Sequence, residues 1–190
     1  MEELEEIVGS AYLLYGEGFC SNIYVLLNGR EALLIDSGSG STIPKLDLAL
    51  ADYRIDRVIL THGHADHITG MNYISADGLL HGKDLKILRE LNSFIPDYKP
   101  PNNIDALECN SLSFGEFRLR IIHTPGHTPG SISILEERHG LLFSGDTLFA
   151  GGDVGRTDLY GGNQRDFEES LAKLEALDYK KLCPGHGPLE

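Results

Sequence analysis

The sequence predicts an α/β fold, and three observations carry that expectation. Short apolar runs of strand length alternate with amphipathic stretches at helical spacing. Composition sits near the globular average, with 41% hydrophobic and 24% charged residues. No linker, low-complexity tract or internal repeat interrupts the 190 residues, so a single domain spanning 1–190 is expected.

The elements follow in chain order. "NIYVLL" and "EALLID" are strand-like, and the Asn28-Gly29 pair between them is a hairpin turn signal. "TIPKLDLALADY" reads as a helix, with Leu46, Leu50 and Tyr53 on one face and Pro44 near its start. "RVIL" is a short buried strand, "GLLHG" another, and "KDLKILREL" a second helix. From Asn92 to Asn110 the pattern fails, and "SFIPDYKPPNN" holds three prolines, so a long loop is expected, either a site wall or a surface connection. "FRLRIIHT" alternates apolar and basic residues as a strand, and "SISILEE" and "GLLFSGD" follow as strands. "RDFEESLAKLEAL" carries Phe167, Leu171, Leu174 and Leu177 on one helical face, and "KKLCPGHG" closes as strand and turn.

A net charge of −13 argues against nucleic acid or an anionic membrane as partner, because phosphate binding needs clustered Lys and Arg. Cys20, Cys109 and Cys183 are odd in number and far apart, which fits a reducing compartment better than a disulfide framework. The acidic start "MEELEEIVGS" lacks the basic and apolar regions of a secretion signal, and no window approaches a membrane span. A cytoplasmic setting is therefore expected.

The chemistry concentrates in "LTHGHADHITG", which places His62, His64, Asp66 and His67 within six residues, directly behind a buried strand. Residues two apart in extended backbone point the same way, so His62 and His64 can converge on one ion. Asp66 and His67 follow a turn and can face a second. Mixed imidazole and carboxylate donors suit a catalytic site for zinc, with iron or manganese as alternatives. Three further candidates stand in Gly/Pro-rich turns after strands: His127, Asp146 and His186. His123 and His127 are four apart, yet Pro125 and Gly126 between them exclude the helix that such a pair would need, so His123 is read as the last residue of its strand. His81 and His139 read as surface residues. There is no GxSxG elbow and no P-loop.

The HxHxDH run at His62 to His67, followed in order by His127, Asp146 and His186, resembles the metallo-β-lactamase superfamily, from about Ile7 onward. The resemblance implies a four-layer αββα sandwich with the site at one edge of two facing sheets. It implies that His62, His64 and His127 hold one divalent ion, that Asp66, His67 and His186 hold the other, and that Asp146 bridges them. Asp66 would also orient the nucleophile, and Asp36 would support the histidine loop from behind, unless it merely initiates a turn. Asp146 together with His67, and the run "GDTLFAGGDVGRTDLYGGN", look most like glyoxalase II and its single-domain relatives. The implied activity is hydrolysis of a small-molecule acyl-thioester by two metal ions. A mononuclear iron persulfide dioxygenase, a lactone or ester hydrolase and a non-catalytic metal-binding protein are the alternatives. Glyoxalase II carries a C-terminal helical region that helps bind glutathione. The sequence ends four residues after His186, which leaves the carrier thiol open. Arg156, Tyr160 and Asn163 are candidates for substrate binding, with an ion pair to Asp153 or Asp158 as the other reading of Arg156.

Overall fold

A computed structural model of the chain describes residues 3–91 and 100–190. Seven strands form the first sheet in sequence order: β1 (Glu5–Val8), β2 (Ala11–Leu14), β3 (Ile23–Asn28), β4 (Glu31–Ile35), β5 (Arg54–Leu60), β6 (Asp77–His81) and β7 (Ile104–Leu107). The first four pair antiparallel, and β4 through β7 pair parallel. Five strands form the second sheet: β8 (Ser111–Phe114), β9 (Phe117–His123), β10 (Ile132–Glu136), β11 (Leu141–Gly145) and β12 (Lys181–Pro184). They pair antiparallel except for the parallel β11–β12 pair, whose crossover carries helix α4 (Gln164–Glu175).

Three apolar clusters define four layers. Ile43 and Leu46 of α1 (Ile43–Ala49), with Leu85 and Leu88 of α3 (Gly82–Leu91), pack on Val25, Leu34, Val58 and Leu80 of the first sheet. Leu13, Tyr24, Leu33 and Ile59 face Phe117, Leu119, Ile134 and Phe143 between the sheets. Leu174 of α4 packs on Leu135, Leu142 and Leu182 behind the second sheet. The central strands β3, β4, β10 and β11 are buried on both faces because helices cover each outer side, which explains their near-continuous apolar runs. Each fully buried Phe or Leu contributes on the order of 1.5–3 kcal/mol through burial.

The long structureless connection expected from Asn92 to Asn110 needs correction. Ile104–Leu107 is a strand, paired parallel with β6 from Gly78 to His81. Its four residues carry too little alternation to be read alone, and the neighbouring strand imposes the conformation. The remainder of that expectation, a wall or lid over 92–99, lies outside the described residues. The edge strands β1 and β8, and β2 beside β1, also carry no distinct local pattern. Among the described residues no helix is long and apolar enough to cross a membrane.

Candidate metal centre

The parallel strands of the first sheet deliver their C-terminal ends to one edge, where the histidine loop follows β5 directly. His62 and His64 leave the strand in extended backbone, while Asp66 and His67 lie in the single helical turn α2 (Ala65–Ile68). The second sheet supplies His127 from the β9–β10 turn, Asp146 after β11 and His186 after β12.

The seven side chains meet. His64 Nδ1 lies 3.1 Å from His62 Nε2 and 2.9 Å from His127 Nε2. His186 Nε2 lies 3.3 Å from His67 Nε2 and 3.1 Å from Asp66 Oδ2. Asp146 sits between the clusters, with Oδ1 3.3 Å from His67 Nε2 and Oδ2 3.6 Å from both His127 Nε2 and His186 Nε2. Donor atoms within 4.8 Å of one another form three groups: His62–His64–His127, His62–His67–Asp146 and Asp66–His67–His186.

These donors fit divalent ions. A tetrahedral zinc with nitrogen ligands at its usual distance separates those nitrogens by roughly 3.3 Å, close to the spacings here. Asp146 Oδ1 is buried without a hydrogen-bond partner, an arrangement that costs free energy unless a cation completes it. The outward nitrogens are committed elsewhere, which fixes the tautomers. His127 Nδ1–H donates to the Arg156 carbonyl at 2.7 Å, and His67 Nδ1–H to Asp36 Oδ2 at 2.8 Å, leaving each Nε2 facing inward.

Asp36 holds this loop directly. Its carboxylate accepts from the Thr61 amide at 2.8 Å and from the Thr61 hydroxyl, besides His67. Its backbone takes φ of 61°, a strained conformation for an aspartate that the surrounding bonds maintain. The His186 turn is held from the other sheet. The Asn22 side chain donates to the Pro184 and Gly187 carbonyls at 3.1 and 2.9 Å, and the Tyr24 hydroxyl donates to Pro184 at 2.7 Å.

The electrostatics leave His62, His64 and Asp146 unprotonated and available as donors, and hold a proton on His67 until a cation replaces it. Burial pushes His62 well below its ordinary value, with the neighbouring histidines adding repulsion. His64 falls to about 4, from burial first and then from His127 and His67. Burial opposes ionisation of Asp146, yet His67, His186 and His127 outweigh it and bring the carboxyl to about 2. Burial also opposes charge on His67, but Asp36 and Asp146 on either side raise it well above its ordinary value. For His64 the linkage has a definite sign. Between its ordinary 6.5 and about 4, the unfolded chain takes up a proton at this residue and the folded chain does not. Metal-free protein is therefore expected to lose stability as pH falls through that window, by on the order of 1–2 kcal/mol between about pH 7 and pH 5 from His64. Urea unfolding with chelator present checks this: the acid-side loss should shrink in His64→Gln, and an undiminished loss would contradict the assignment.

The remaining candidates occupy different places. The Arg156 side chain is exposed and pairs bidentately with Asp158 at 2.6 and 2.7 Å, while its carbonyl orients His127. Asn163 caps α4, accepting from the Asp166 amide at 3.1 Å. Tyr160 is 68% exposed and, with Gly63, His64, Asp84, Ile87 and Thr128, lines a cavity of about 70 Å³ beside His64. His123 ends β9, donates Nε2–H to the Pro129 carbonyl at 2.9 Å, and stacks on His81 with ring centroids 4.4 Å apart. Residues that sequence reasoning missed include Asn22, Thr61, Asp84 and Gly155.

The family model for the metallo-beta-lactamase superfamily matches residues 16–186, and the chain belongs to that superfamily, a class of metallo-hydrolases. Over 193 residues it is 35% identical to a probable metallo-hydrolase of Methanocaldococcus jannaschii, covering 93% of this chain and 92% of the relative. It is 34% identical to a hydroxyacylglutathione hydrolase of Aeromonas salmonicida, covering 82% of this chain and 56% of that protein. The crystal structure of TTHA1623 in a di-iron-bound form superposes with a TM-score of 0.75 at 28% identity, covering 94% of this chain and 93% of that one. The four-layer αββα architecture is the metallo-β-lactamase fold.

Proposed function

We propose that the chain is a binuclear metal-dependent hydrolase of small acyl-thioesters. The observation that carries this reading is the second donor group, Asp66–His67–His186, beside His62–His64–His127 with Asp146 between them. A mononuclear iron dioxygenase would need only His62, His127 and Asp146, and would leave that second group without a task. The hydroxyacylglutathione hydrolase among the relatives supports the thioester, and the di-iron structural neighbour supports two ions per chain. Zinc suits the donor set best, with iron or manganese also matched to nitrogen and oxygen donors.

Two divalent ions, once bound, supply a lowered water pKa and a polarised substrate carbonyl. The chain's own residues do the rest. The Asp66 side chain is about one-third exposed at the rim, where it can accept a hydrogen bond from the attacking water. His186 and His67 hold its carboxyl below the ordinary range against the opposing effect of burial, so it orients the water more than it stores a proton. Tyr160 lines the cavity beside His64 and remains the candidate for contact with substrate, whereas the Arg156 and Asn163 side chains are engaged elsewhere. The free cysteines, Cys20, Cys109 and Cys183, accord with a cytoplasmic, reducing setting.

The test supplies S-lactoylglutathione without oxygen and, separately, glutathione persulfide to iron-loaded protein in air. Thiol release that needs no oxygen, stops on chelation and returns with zinc, iron or manganese is expected. Oxygen uptake with sulfite formation, and no thioester cleavage under any metal loading, would overturn the reading.

A further inference from the structure

Besides Asp36, one buried acid near the site belongs to neither donor group. Asp84 lies in the first turn of α3 and is 2% exposed. Its Oδ2 accepts from the Gly63 amide at 2.8 Å and from the Thr128 hydroxyl at 2.6 Å, and its Oδ1 accepts from the Gly130 amide at 2.6 Å. Gly63 separates His62 from His64, and Thr128 follows His127. One carboxylate thus ties the loop after β5 in the first sheet to the turn after β9 in the second. The approach is tight: a Cβ at residue 130 would stand 2.5 Å from Asp84 Oδ1. The acceptor must also be a carboxylate, because an amide would turn an NH₂ group toward at least one of the three donors.

We propose that Asp84 is the positioning residue of the three-histidine cluster, setting the distance between the His62–His64 pair and His127. This rests on the reading of that cluster as a metal site. A buried second-layer acid of this kind typically changes metal affinity by about 10- to 100-fold when removed. The effect should be confined to one cluster, because Asp84 bonds to no part of the Asp66–His67–His186 turns.

The experiment measures zinc affinity by chelator competition in two backgrounds. His186→Ala leaves the three-histidine cluster intact, and His127→Ala leaves Asp66, His67 and His186. Asp84→Asn should weaken zinc roughly tenfold or more in the first background and change it less than about twofold in the second. Thr128→Val removes one of the three bonds without touching the carboxylate, so it serves if the Asn variant fails to fold, and it should give a smaller loss in the same background alone. Equal losses in both backgrounds mean general destabilisation and overturn the proposal, as does no loss in the first. If the His186→Ala protein binds no zinc with Asp84 intact, the metal reading of the cluster falls and the proposal falls with it, a result distinct from the other two.

Discussion

Asp146→Ala is expected to strip both ions and lower thioester turnover by roughly a thousandfold or more, on the order of 4 kcal/mol of transition-state stabilisation. The side chain is the one donor that faces both clusters, with Oδ1 toward His67 and Oδ2 toward His127 and His186. Its Oδ1 has no hydrogen-bond partner, only the His67 ring nitrogen 3.3 Å away, and a bound cation would satisfy it more fully. Losing it removes a shared negative charge from between two dications, and neither remaining group has a buried carboxylate of its own to replace it. Elemental analysis after saturation checks the first half of the expectation and steady-state kinetics the second. An Asp146→Ala protein that retains two equivalents of metal and wild-type turnover would end the idea of a shared ligand.

Gly155→Ala should give the next largest loss, through the backbone alone. A Cβ at this position would lie 1.8 Å from the Asp146 carbonyl oxygen, a contact that only movement of the main chain can relieve. The next residue's carbonyl is the acceptor that holds His127 Nδ1, so the displacement reaches the cluster through one hydrogen bond. Overpacking of this kind costs about 1–3 kcal/mol in stability, and the misplaced His127 should weaken zinc about 10- to 100-fold. Arg156→Ala is the contrast, because its exposed guanidinium pairs with Asp158 and only its main chain faces His127. Metal affinity should stay within about twofold there, and any effect should appear in KM. Melting curves, chelator competition and kinetics on both variants separate the outcomes. A Gly155→Ala protein with unchanged affinity would show that the loop relaxes without moving the Arg156 carbonyl.

The two variants also show what was legible in the sequence. His62, His64, Asp66 and His67 could be read because four donors in six positions behind an apolar strand have few other uses. His127, Asp146 and His186 could be read as donors in Gly/Pro-rich turns, but only their order relative to that run gave them partners. Asp84 stayed hidden because an acid in a helix's first turn is ordinarily a dipole complement. Its task depends on two loops that are distant in sequence. Arg156 drew attention for its charge, whereas its main-chain oxygen holds His127, and a carbonyl is present at every position whatever the side chain. The strand β7 was illegible for a related reason: "IDAL" becomes a strand through its pairing with β6.

Strand order in both sheets follows chain order without exception, and that has a consequence for how the protein is made. Each sheet can form from segments adjacent in chain order as they leave the ribosome, its parallel pairs each waiting for the crossover between their strands. The metal centre, like the core between the sheets, is non-local. His62, His64, Asp66 and His67 belong to the half synthesised first, while His127, Asp146 and His186 arrive with the second half, the last of them behind β12. A nascent chain would therefore expose a half-built chelate before its complement exists, and a metal ion captured early would be held by loops not yet docked. Once both halves are in place, an ion held by donors from both would tie the two sheets together. Separation of the halves would then also cost the bound metal, and the unfolding rate, more than the folding rate, should register whether the centre is filled.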